Sequence, residues 1–138
     1  MRTYTFRLKP GQDLLDEIET FVKTHSIEAG CLLSSVGSLT HATLRLANTG
    51  HYTDYEGHFE IVSLNGTVSV NGSHLHIAIS DSEGKTIGGH LVSGCKIYTT
   101  AEIVIAVFEG VVYRREYAED SGYEELVVAE KKSGLPGF

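Results

Sequence analysis

Residues 59–80 read FEIVSLNGTVSVNGSHLHIAIS, and this stretch decides the class of fold. Apolar and polar residues alternate through much of it, which is the period of a strand rather than the 3.6 of a helix. Phe59–Leu64 and Thr67–Val70 read as two short strands joined at Asn65–Gly66, a dipeptide suited to a tight hairpin. Asn71–Gly72 reads as a second such turn. From His74 to Ser80 the alternation is strict. His74, His76, Ala78 and Ser80 share one side, and Leu75, Ile77 and Ile79 share the other.

Working outward, strands dominate. Thr3–Lys9 alternates around Tyr4, Phe6 and Leu8, and Pro10–Gly11 ends it. Gln12–His25 is the exception: Leu14, Leu15, Ile18, Phe21 and Val22 fall on one helical face. Acidic residues near its start and Lys23 near its end complement the helix dipole. Further strands are expected within Ala29–Ser38, Thr43–Ala47, Ile87–Val92, Glu102–Glu109, Val111–Tyr117 and Glu124–Ala129. The Cys31–Val36 run reads as buried, and Leu33–Leu39 with Gly37 reads as ending in a plain turn or an anion-binding one. Phe59–Glu60–Ile61–Val62 is echoed at Ala101–Glu102–Ile103–Val104. The expected organisation is one domain over residues 1–129 and a loose C-terminal tail over 130–138. The expected class is α+β, a mixed, largely antiparallel sheet with one main amphipathic helix.

Composition bounds the function. The chain has 138 residues, with 11 Lys and Arg against 18 Asp and Glu, a net charge of −7. Its longest basic runs are the pairs Arg114–Arg115 and Lys131–Lys132. Phosphate-backbone binding needs a basic face, so direct DNA binding is disfavoured. Cys31 and Cys95 form no CxxC pair and are expected as free thiols. Met1–Tyr4 begins no apolar signal segment and no apolar run could span a membrane, so a cytoplasmic address is expected.

The chemistry centres on histidine. His74 and His76 point one way from their strand, and the turn Asp81–Gly84 can fold His90, after Gly88–Gly89, back beside them. Three neutral imidazoles with an open fourth position form a familiar zinc arrangement, although nickel, cobalt or iron would accept the same ligands. The same residues could be a solvated or hydrogen-bonded strand face. Glu60 and Glu102 sit beside apolar residues and are catalytic candidates as proton carriers, or else solvated or arginine-paired carboxylates. Tyr52, Tyr55, Tyr113, Tyr117 and Tyr123 suit either an interface or ordinary sheet packing.

Several motifs in order are similar to those of the PPC domain (plants and prokaryotes conserved domain). They are Gly30-x-Leu32-x-Ser34-x-x-Gly37, Gly57-x-Phe59-Glu60-Ile61-x-Ser63-Leu64-x-Gly66-Thr67, His74-Leu75-His76-x-x-x-Ser80-Asp81, Gly88-Gly89-His90-Leu91-x-x-Gly94 and Thr100-Ala101-Glu102. The resemblance implies a stand-alone PPC fold, distantly like acetolactate decarboxylase, and a homotrimer. It implies a metal on the histidines matching His74, His76 and His90. It also implies partner contact through the segment holding Gly57, Phe59, Glu60 and Ile61, where His58 stands in place of the family's arginine. Prokaryotic members often carry a DNA-binding label, but this chain has no AT-hook and an acidic charge. The expected function is therefore a homotrimeric ligand- or partner-binding module with a three-histidine metal site. The alternative is a zinc-dependent enzyme acting on a small carbonyl or ester.

Overall fold

The computed structural model describes residues 1–131. The expected class is what the structure has: an antiparallel sheet and one short helix, with no parallel strand pair among the described residues. The expected tail lies partly outside the described residues. Glu130 still belongs to a strand, and Lys131 donates its backbone N–H to Gly110 and its ammonium to Glu28.

Strand β1 (Arg2–Leu8) alternates as expected, and it pairs with β6 (Lys96–Val107). Helix α1 (Leu14–Thr24) starts where Asp13 accepts the Asp16 N–H at 3.0 Å. It buries Leu14, Ile18 and Val22 on the sheet, each such side chain contributing roughly 1.5–3 kcal/mol.

The next two strands are longer than the sequence pattern suggests. Ala29–Ser38 and Thr43–Ala47 lie largely within one 16-residue strand, β2 (Gly30–Arg45). Phe59–Leu64 and most of Thr67–Val70 lie within another, β3 (Thr53–Val68). Asn65–Gly66 is therefore no hairpin turn, and Leu33–Leu39 is neither a turn nor an anion loop. The glycines there serve close backbone approach instead. A Cβ on Gly66, which has φ +138°, would run into the His74 carbonyl. A Cβ on Gly37 would strike the Thr100 carbonyl and lie 2.6 Å from Ala101 Cα. The real turn after β3 is the second expected one, closed by the Gly72 N–H donating to Ser69 O at 3.0 Å.

Register shifts between Leu32 and Ser34 and between Leu39 and His41 reset which β2 side chains face inward. Leu32, Leu39, Ala42 and Leu44 enter the core. Leu33 and Val36, expected in a buried run, are 56% and 53% exposed.

Strands β4 (His74–Ser80) and β5 (Thr86–Leu91) follow β3 as a meander. The sheet order is β1-β6-β2-β3-β4-β5, and β5 then pairs back onto β2 through Leu44–Leu91 and Arg45–His90. Strands β2 to β5 therefore form a closed ring around Leu39, Leu44, Leu75 and Ile79. A separate ribbon, β7 (Val111–Ala118) and β8 (Tyr123–Glu130), is pinned to this ring. Asn71 Nδ2 donates to the Tyr113 carbonyl at 2.9 Å, the buried Ser69 hydroxyl lies 3.1 Å from the same carbonyl, and the Tyr113 N–H donates to the Glu28 carbonyl at 2.9 Å.

Gly66→Ala is expected to destabilise the protein by roughly 2 kcal/mol or more, because both its φ and the His74 carbonyl oppose a side chain. Gly50→Ala, at a position with open space, should stay within about 0.5 kcal/mol. Urea unfolding of the two variants checks the contrast.

Candidate functional site

Strand alternation and one cross-strand pair assemble the site. Leu75 and Ile77 enter the core, so His74 and His76 must project from the other face of β4. His76 pairs across the sheet with His90 of β5. The intervening turn is held by Asp81, whose carboxylate accepts the Glu83 and Lys85 N–H groups, each at 2.9 Å. The three rings lie 4.9 Å (His74–His76), 5.2 Å (His74–His90) and 5.8 Å (His76–His90) apart at their centroids. One nitrogen from each falls within 4.8 Å of the others.

The residues present fit a metal ion. Tetrahedral zinc with Zn–N near 2.0–2.1 Å needs ligand nitrogens about 3.3 Å apart. His90 Nδ1 is buried and has no hydrogen-bond partner among the described residues. A buried, unpaired imidazole nitrogen is costly, and a cation is a partner that removes the cost. Gly88 and Gly89 let β5 approach its neighbours: a Cβ on Gly88 would lie 2.6 Å from Ile77 O, and one on Gly89 would lie 2.8 Å from Arg45 O.

Electrostatics favours the neutral, ligating form of His90 and His74. Desolvation pushes His90 down from the ordinary 6.5 to about 4, helped by the Arg45 charge and the other two imidazoles. His74 is also lowered, first by desolvation, then by His76 and Arg115, with Glu125 acting the other way. Neutral imidazole is the state that coordinates metal.

The histidines border a cavity of about 980 Å³, whose other walls include Arg45, Arg115, Tyr123, Glu124 and Glu125. None of these five is a metal ligand by the sequence reading, and Arg115 arrives only through the pinned ribbon. Glu60 and Glu102 do not line the cavity. Glu60 pairs with Ser80, four residues from His76 and so about 13 Å along the strand. Glu102 pairs with Val36 and Arg7. Both carboxylates are exposed, and neither forms an ion pair among the described residues. Among the described residues, the carboxylates that line the cavity are those of Glu124 and Glu125.

The Gly57–Ile61 segment divides by alternation. Phe59 and Ile61 are 8% and 5% exposed and belong to the chain's own core. Gly57, His58, Glu60 and Val62 form its outer surface. Tyr52, Tyr117 and Tyr123 are exposed, and Tyr55 and Tyr113 are half-buried. Both cysteines are free, and burial pushes the Cys95 thiol up to about 11, which leaves no thiolate nucleophile there.

A small antiparallel domain with a histidine cluster in an open cavity is the class that fold and site define. The chain belongs to the Plants and Prokaryotes Conserved (PCC) domain family, whose sequence model matches residues 1–109. It is 43% identical over 136 residues to the bifunctional protein GlmU of Synechococcus sp. (strain JA-3-3Ab), covering 99% of this chain and 22% of that protein. The chain thus spans about a fifth of that relative's length. A Salmonella cholerae-suis protein of solved structure superposes with TM-score 0.93 at 38% identity, over 94% of both chains. The metal-containing protein AF0104 from Archaeoglobus fulgidus superposes with TM-score 0.77 at 26% identity, over 92% of this chain and 94% of that one.

In the unfolded chain an imidazole takes up its proton near pH 6.5, whereas folded His90 does so near 4. The unfolded state therefore binds the extra proton first as pH falls. The metal-free protein is expected to lose this contribution to stability between about pH 6.5 and 4, and His90→Asn should remove that part of the pH dependence. Thermal melts of the two proteins across this range check it.

Proposed function

We propose that this chain is a homotrimeric ligand-binding module whose His74, His76 and His90 hold one divalent metal ion, zinc in the first instance. The observation that carries the reading is the convergence of three imidazoles, one nitrogen of each within 4.8 Å of the others, at the edge of an open cavity. The relative AF0104, described as metal-containing, supports it. Three imidazole ligands leave a coordination position for a ligand entering from the cavity.

The trimer draws support from the outer face of the sheet. Leu33, Val36 and Val62 are each more than half exposed there, a pattern typical of a surface that another subunit covers. The acidic net charge and the lack of a basic cluster argue against contact with a DNA backbone. No helix among the described residues is long and apolar enough to cross a membrane, and a cytoplasmic address is kept as part of the proposal.

A second reading, a zinc-dependent enzyme acting on a small carbonyl or ester, is favoured by the same open position. Bound zinc would supply Lewis-acid polarisation of a substrate oxygen. Arg45 and Arg115 would orient the substrate, and Glu124 or Glu125 would carry a proton.

Elemental mass spectrometry of protein purified without chelator is expected to find about one metal per chain, lost in His76→Ala. Stoichiometric metal in the variant, or a wild type that takes up no added zinc, overturns the site. Light scattering is expected to give three times the 15.0 kDa chain mass, with Val62→Glu shifting the protein to smaller species.

A further inference from the structure

The cavity holds two cationic groups that a three-histidine centre does not require. Arg45 is the direct cross-strand partner of His90, so its side chain leaves the sheet on the same face as that imidazole. Arg115 crosses from the β7–β8 ribbon, and its Nη2 donates to Thr67 Oγ1 at 3.0 Å. Thr67 is in turn the cross-strand partner of His74. Gly72 permits that path, because a Cβ there would come within 3.1 Å of Arg115 Cγ. Each guanidinium is thus carried to the imidazoles by a separate element.

Neither guanidinium forms an ion pair among the described residues. Two guanidiniums beside a divalent cation repel one another, and the arrangement is favourable when an anion lies among them. The planar fork of arginine matches a carboxylate. Glu124 and Glu125 line the ribbon side of the same cavity, and they oppose a dianion such as phosphate more strongly than a monoanion.

We propose that this cavity takes a small organic carboxylate, its anionic end held by Arg45 and Arg115 beside His74, His76 and His90. The inference deepens the metal-site reading and rests on it for the ligand's second contact. The carboxylate contact itself belongs to the arginines, so the two can fail separately.

The test is isothermal titration with small carboxylates from glycolate to gluconate, each beside its neutral amide, and with inorganic phosphate. It is run on zinc-loaded and metal-free wild type, Arg45→Gln and Arg115→Gln, with zinc content and thermal midpoint recorded for each. At least one carboxylate is expected to bind the zinc-loaded protein more tightly than its amide and than phosphate. Either arginine substitution should weaken it by about tenfold, with zinc content and thermal midpoint unchanged. No carboxylate binding, an amide or phosphate that binds as tightly, or carboxylate affinity unchanged in both arginine variants overturns the proposal. Zinc bound without arginine-dependent carboxylate affinity leaves the metal reading standing and removes this one. Arginine-dependent carboxylate affinity in a protein that takes up no zinc does the reverse.

Discussion

Leu44 and Arg45 pair with Leu91 and His90, and on this short contact the rest of the site depends. It joins the end of β2 to the end of β5 and closes four strands into a ring. Without it β5 would be a free edge beside β4, and Arg45 would have no fixed relation to the histidines. The closure needs little room between backbones, which is why Gly88 and Gly89 stand where Ile77 O and Arg45 O come close. The same glycines leave space for the strands just before His90 and Leu91, the two residues that pair with β2.

Strand β2 is what makes the closure reachable. It pairs with β3, β6 and β5, and no single flat strand could serve all three along its whole length. Its register shifts bend it and re-aim its side chains. The consequence appears on both faces. Leu39 and Leu44 keep to the core, while Leu33 and Val36 emerge on the outer face. An apolar outer face and a polar, histidine-lined cavity are thus two products of one irregular strand.

The cavity is unusual in its charge. His90 and His74 are kept neutral by desolvation and nearby guanidiniums, and the guanidiniums are poised for an anion. A metal ion on the imidazoles and an anionic group on the guanidiniums would complement the cavity together. The glutamates of β8 sit on the same wall and keep the local charge from being wholly positive. Arg115 reaches this place because Ser69 and Asn71 both hold the Tyr113 carbonyl and so tie the ribbon to the β3–β4 turn, a structural task far from any chemistry.

Periodicity by itself determined much of this protein. The alternation of residues 74–80 placed two histidines on one face, the 3.6 period of residues 14–22 marked the helix, and the turn at Asp81 made His90 a partner for His76. These are local properties, set by which side of a backbone a side chain leaves. Asn65–Gly66 misled because its glycine answers a neighbouring strand's carbonyl rather than a turn. Glu60 and Glu102 lie away from the cavity, because sequence neighbours reveal the face of a strand but not which site lies along it. Phe59 and Ile61 turned inward by the same alternation that exposes His58 and Glu60. Only the tertiary structure decided that Arg45 and Arg115 join the histidines. Their placement depends on hydrogen-bond register between strands distant in sequence, and on bulges whose positions leave no periodic mark in the chain.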